Sequence, residues 1–242
     1  MEREQARKTS VRDFLFTFWP ALLAVLTVVF SCAYNPDGGI HNLSLSFNAS
    51  RIAHMAFSPF FLSCLAASLV GIGFARHAWS GSQGYGKADK MIMIWFLMNA
   101  VWFHTGCDVL SGLFQVMPNM TDCYIASNNA HTLPVYQPGR IYLDAVYWFE
   151  LCAQFPLSLL TFVLYIKKSR FRPLCETTVS CFQISGTVLY YLPNILMGRT
   201  DNAFVTNMDR AIASLWIVVP LILTIRNARH VRQNPVPRTV FE

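Results

Sequence analysis

The stretch FLFTFWPALLAVLTVVFSCA, residues 14–33, carries no charged side chain over twenty positions. A helix rises about 1.5 Å per residue, so about 20 apolar residues cross the roughly 30 Å of bilayer hydrocarbon. The run therefore reads as a membrane span. It lacks a small-residue cleavage site and is too long for a signal peptide, so it is expected to be retained as an anchor. Working outward, five further apolar runs follow at about 54–75, 91–115, 141–166, 174–196 and 211–225. Together the six fill more than half of the 242 residues and leave no room for a separate soluble domain. The chain is 54% hydrophobic and 13% charged, whereas a soluble domain carries about a quarter charged residues. The expected fold is an all-α integral membrane bundle of six transmembrane helices.

The 19 Lys and Arg residues sort into alternate connections. Arg3, Arg7, Lys8 and Arg12 precede the first run; Arg76, Lys87 and Lys90 lie between the second and third. Lys167, Lys168, Arg170 and Arg172 lie between the fourth and fifth, and Arg226, Arg229, Arg232 and Arg238 close the sequence. The other connections hold Arg51, Arg140, Arg199 and Arg210. Cations resist translocation, so the rich side is expected to be cytoplasmic, with both termini. The glycosylation sequons at Asn42, Asn48 and Asn119 all fall on the poor side, as a lumenal acceptor would. These signals suggest the endoplasmic reticulum and three segments: 1–53 with the first anchor and its lumenal loop, 54–230 as a five-helix core, and 231–242 as a cytoplasmic tail. The net charge of +6 flanks spans and forms no patch, so the expected contacts are lipid headgroups, not nucleic acid. The oligomeric state is not legible. Seven cysteines show no C-x-x-C spacing, and no metal or cofactor signature is present. Cys32 and Cys123 lie near the oxidising face, where a bridge between them is left open.

Ionisable residues inside spans are costly and usually face a cavity or a partner. The third run carries His104 and Asp108, four residues apart and so on one helical face; the fourth carries Asp144 and, deeper, Glu150. Counting from the poor side, His104, Asp108 and Glu150 fall in one layer. A lone buried His commonly does no more than bond a neighbouring helix, and the aromatics are by default packing residues. Three ionisable groups at matched depth point to chemistry. Desolvation disfavours the charged form of a carboxyl group, so an acid in an apolar cavity can keep a proton and donate it. A substrate that fits such a cavity and needs a strong acid is an alkene. Aromatic faces can stabilise the resulting cation, and a second group then removes a proton. No cofactor is required. Glu150, Asp108 and His104 are the expected catalytic residues, with Trp216, Tyr190, Trp148 and Gln183 around the cation or substrate.

Four stretches resemble the emopamil-binding protein family, in the correct order. They are Trp95-Phe96 through His104-x-x-x-Asp108, Asp144 through Glu150 to Pro156-Leu157-Ser158-Leu159, Gln183-Ile-Ser-Gly-Thr-Val-Leu-Tyr-Tyr191, and Leu215-Trp216-Ile-Val-Val-Pro220. The resemblance covers about residues 90–230, and the first anchor looks additional to the usual five spans. It implies a membrane-embedded pocket for a small hydrophobic sterol or isoprenoid, as in the sterol Δ8–Δ7 isomerase, the sigma-2 receptor and lipid-handling relatives. It also implies working roles for His104, Asp108, Glu150 and Trp216. The pattern departs from the isomerase at Ala213, where that enzyme has Asn, and in the missing Trp-Lys-Glu-Tyr segment. The departures suggest the same proton chemistry on a different isoprenoid, and some fungal relatives of this family look like membrane terpene cyclases acting on prenylated aromatic or meroterpenoid intermediates. The expected activity is therefore proton-initiated cyclisation or isomerisation of an isoprenoid alkene or epoxide. The alternatives are the sterol isomerase reaction and non-catalytic lipid binding.

Overall fold

The computed structural model describes residues 2–34, 48–81, 84–196 and 210–233, and these are helical throughout apart from short connections. We label the helices α1 (Glu2–Ala33), α2 (Ala49–Ala56), α3 (Pro59–Ser80), α4 (Lys87–Leu113), α5 (Met120–Ser127), α6 (Pro138–Ile166), α7 (Arg172–Leu196) and α8 (Leu215–Gln233). Their starts follow local chemistry. Ser58 caps α3 by accepting from Phe61 N, with Pro59 in the first turn, and Pro138 opens α6; neither proline costs a hydrogen bond there.

Five helices among the described residues are long and apolar enough to span a membrane: α1, α3, α4, α6 and the helix through α8. At the remaining expected span the structure has the 25-residue helix α7, which is not among these five. Its Glu176, Thr177, Thr178, Gln183 and Thr187 make it more polar than the others. The expected boundaries hold to within a few residues, except that α1 begins well before position 14.

The bundle is arranged around α4, whose span is 83% buried, against 17% for α8. Trp95, Phe96, Met93, Ile94 and Leu97 form the centre of the core. The outer helices turn residues such as Leu69, Val70 and Phe74 outward, more than half exposed. Contiguous apolar surface on that scale fits lipid and not water. Close helix approach uses missing side chains. A Cβ at Gly112 would fall 2.4 Å from the Tyr147 ring, and one at Gly71 would fall 2.4 Å from Leu97 Cδ1. Small residues at helix contacts serve this purpose in membranes.

Successive spans run in opposite directions, and side chains tie each end together. At the cation-rich end, Lys87 Nζ bonds Asp13 Oδ1 at 2.7 Å, and Tyr85 OH donates to Ile166 O at 2.8 Å. At the opposite end, Arg51 Nη2 bonds Asp122 Oδ2 at 2.9 Å, and Asn119 Nδ2 donates to Arg51 O at 2.8 Å. The segregation of cations seen in the sequence is thus a segregation in space. The N-terminal helix does more than anchor. It lies along α4, with Trp102 Nε1 donating to Thr27 Oγ1 at 3.0 Å and the Trp19 and Trp95 rings 5.3 Å apart.

Candidate functional site

The helical ladder widens to i→i+5 bonds in two places, Asn99–Leu113 of α4 and Glu150–Gln154 of α6. Such π-helical segments are rare and concentrate at functional sites. In α6 the cause is local. Pro156 has no N–H, and its ring would clash with the carbonyl four residues back. The ladder relaxes just before it, and Phe155 N bonds Glu150 O. In α4, Ser111 Oγ and Thr105 Oγ1 each bond the carbonyl five residues earlier. The two widened segments carry the three ionisable residues of the acid layer.

The structure brings those residues into contact. His104 Nδ1 lies 2.6 Å from Glu150 Oε2 and 3.5 Å from Asp108 Oδ2. Each carboxyl group has a further donor: Gln154 Nε2 to Glu150 Oε1 at 2.5 Å, and Tyr124 OH to Asp108 Oδ1 at 2.7 Å. His104 and Glu150 are buried, whereas the Asp108 side chain keeps 25% exposure. All three line a cavity among α1, α4, α5, α6, α7 and α8 with about 1120 Å³ of empty volume, its mouth included. Apart from this layer its wall is mainly apolar, with Phe30, Phe103, Val146 and Ile212. Glycine at 186 admits α7 to this layer, since a Cβ there would stand 2.6 Å from Gln154 Nε2 and 3.1 Å from Glu150 Oε1.

A chain of amide contacts sets the proton position on His104. Asn99 is fully buried, and its Nδ2 donates to Trp95 O at 2.8 Å, which leaves Oδ1 facing inward. That oxygen accepts from Trp216 Nε1 at 2.6 Å and from Gln183 Nε2 at 2.9 Å. Gln183 Nε2 also sits 3.4 Å from His104 Nε2. A donor facing Nε2 puts the imidazole proton on Nδ1, toward the two carboxyl groups. Trp216 packs edge-on against Phe103 at 4.7 Å, so its ring is fixed at the cavity wall.

Of the other expected site residues, Gln183, Trp216 and Tyr190 line the cavity. Trp148 is not brought to it. That ring is half exposed on the outside of α6, against Phe114 at 6.1 Å, because the helical turn that points Tyr147 inward points Trp148 outward. Asp144 pairs with Arg140 at 2.8 Å. Glu176 is fully buried, accepts from Tyr165 and lies outside the cavity lining. Asn99, Gln154, Tyr124 and Tyr147 were not singled out from sequence. An amide in mid-span was the available signal for the first two; the tyrosines carry no local signal.

The sequons have different settings. Asn42 lies outside the described residues. Asn48 is exposed and caps α2 through Ser50 N. Asn119 is buried with its amide committed to Arg51 O, so a glycan there would displace the α2–α5 packing. No disulfide joins the cysteines, Cys32 and Cys123 included. The His104, Asp108 and Glu150 ligand atoms lie within 4.8 Å of one another. That donor set could hold a cation in place of the direct His104–Glu150 contact.

Beside the cavity, outside the spans, His131 is buried and shares a 3.1 Å hydrogen bond with Tyr147 OH. Burial, and then the Arg140 charge, push its pKa down to about 4. The folded value lies below the unfolded one of about 6.5, so its stability contribution is complete above pH 6.5 and is lost as pH falls toward 4. The melting temperature of the detergent-solubilised protein is expected to drop across that window, by an amount on the order of 3 kcal/mol. His131→Gln should flatten the drop, and an unchanged slope in that variant would assign the loss to other groups.

Residues 116–227 match the family described as EXPERA (EXPanded EBP superfamily). The matched region contains Glu150, Gln183 and Trp216 and begins after His104 and Asp108, which join the site by geometry alone. No curated protein matches the chain.

Proposed function

We propose, from the match of residues 116–227 to the expanded EBP superfamily, that the chain is a cofactor-independent membrane isomerase or cyclase that protonates an isoprenoid alkene or epoxide. The observation that carries this reading is His104 Nδ1 set between the Glu150 and Asp108 carboxyl groups on the wall of an apolar cavity. A carboxylic acid of this layer adds its proton to the substrate, and a cation forms at the adjoining carbon. Trp216 and Tyr190 present aromatic faces to it. The other carboxylate removes a proton from a neighbouring carbon, which forms the product double bond. His104 touches both groups, so it returns that proton to the donor, and the cycle closes without net uptake. Two carboxyl groups and an imidazole this close share their protons as one system. The roles of acid and base therefore belong to the set. Terpene cyclisation in meroterpenoid-type metabolism is the favoured reaction, in the endoplasmic reticulum with both termini cytoplasmic.

Deuterium tests this. Enzyme equilibrated in deuterated water and given labelled prenylated precursors should form product with deuterium at the former alkene carbon. Product formed without it would end proton initiation. The sterol isomerase is the second reading, supported by the Trp216 ring at the cavity wall. It predicts rescue of cells lacking Δ8–Δ7 isomerase. Here the wall position three residues before Trp216 is Ala213, and the amide that holds Trp216 comes instead from Asn99 on α4.

A further inference from the structure

At the end of the bundle remote from His104, a second cavity opens between the start of α7 and the end of α8. Arg172, Arg226 and Arg229 line it together with Pro173, Asn227, Ile222 and Ile225. It is built by direct contacts between the two helices, since Asn227 Nδ2 donates to Pro173 O at 3.3 Å and to Thr177 Oγ1 at 3.2 Å. Arg226 is held in place by Tyr165 OH at 3.0 Å and Asp89 Oδ1 at 3.6 Å. The Arg172 guanidinium rests 5.2 Å from the Tyr165 ring centre. Among the described residues neither Arg172 nor Arg229 forms an ion pair with a carboxylate. Ile222 and Ile225 border these guanidinium groups and are 59% and 43% exposed on the lipid-facing side of α8.

We propose that this cavity binds the phosphodiester headgroup of an anionic phospholipid, with Arg172 and Arg229 on the phosphate and an acyl chain along Ile222 and Ile225. Guanidinium groups match phosphate oxygens with paired hydrogen bonds. Basic pockets between spans at a membrane surface suit such headgroups. The apolar border selects a lipid over a free anion, because inorganic phosphate has no use for two exposed isoleucines. Tyr165 OH and Asp89 hold Arg226, while Arg172 and Arg229 form no carboxylate ion pair among the described residues.

The purified full-length protein in neutral detergent, titrated with dioctanoyl phosphatidylglycerol, dioctanoyl phosphatidylcholine and inorganic phosphate, tests the site by thermophoresis. Saturable phosphatidylglycerol binding, at least tenfold tighter than either other probe, is expected. Arg172→Gln and Arg229→Gln should each weaken it at least tenfold without moving the melting temperature of the unliganded protein. Arg229 is exposed, so its variant carries the test if Arg172→Gln folds poorly. Equal binding of the two lipids, equal binding of phosphate, or unchanged affinity in a folded Arg229→Gln would each overturn the proposal.

Discussion

Glu150→Gln is expected to lower turnover by about 10²- to 10⁴-fold, the usual size of a general acid–base contribution. The amide is isosteric and can still accept from Gln154 Nε2, which bonds Oε1 at 2.5 Å in the native protein. The cavity wall should therefore keep its shape and the hydrophobic substrate should still bind. What is lost is an acidic proton beside His104. Asp108→Asn is expected to act in the same direction, because the layer works as a set. Product formation in proteoliposomes, read beside the binding of a labelled substrate, separates the two effects. Full turnover in both variants would leave the pocket as a binding site without proton transfer. Loss of binding and turnover together would make Glu150 a structural residue.

Asn99→Ala should produce the largest loss of stability of any site substitution. Its side chain makes three contacts inside the central helix packing, to Trp95 O, Trp216 Nε1 and Gln183 Nε2. Truncation leaves the indole N–H and one amide N–H without their acceptor in a buried setting, at about 1–3 kcal/mol each. Melting of the detergent-solubilised protein is expected to shift down by the equivalent of roughly 2–5 kcal/mol. Activity should fall as well, because Gln183 no longer orders the His104 tautomer. Asn99→Asp retains the acceptor oxygen, so it should recover part of the stability. A melting temperature within a degree of native for Asn99→Ala would show that water replaces the lost acceptor, and would remove Asn99 from the tautomer chain.

The matched depth of the acid layer was readable because helical rise converts residue number into distance along the membrane normal. His104, Asp108 and Glu150 could be levelled by counting from the span ends, and the 2.6 Å contact between His104 and Glu150 is consistent with that shared height. Rotation about the helix axis is not given by counting. Trp148 and Tyr147 are neighbours in sequence, yet Tyr147 faces the cavity and Trp148 faces outward. The widened ladders at Asn99–Leu113 and Glu150–Gln154 shift the facing of every side chain within them. The part played by α1 was equally hidden. An apolar run gives no sign that Thr27, Phe30 and Ser31 will line a cavity.

The amino-acid sequence alone determined where the long apolar helices lie, the order of cations along the chain and the relative height of the ionisable residues. These are one-dimensional quantities fixed by hydrophobic length and charge order. Tertiary structure decided which atoms meet: the Asn99 carbonyl between Trp216 and Gln183, the glycine at 186 that lets α7 approach Glu150, and the tyrosine on Asp108. Those contacts depend on how helices rotate and cross, and rotation is settled by packing between segments far apart in the chain.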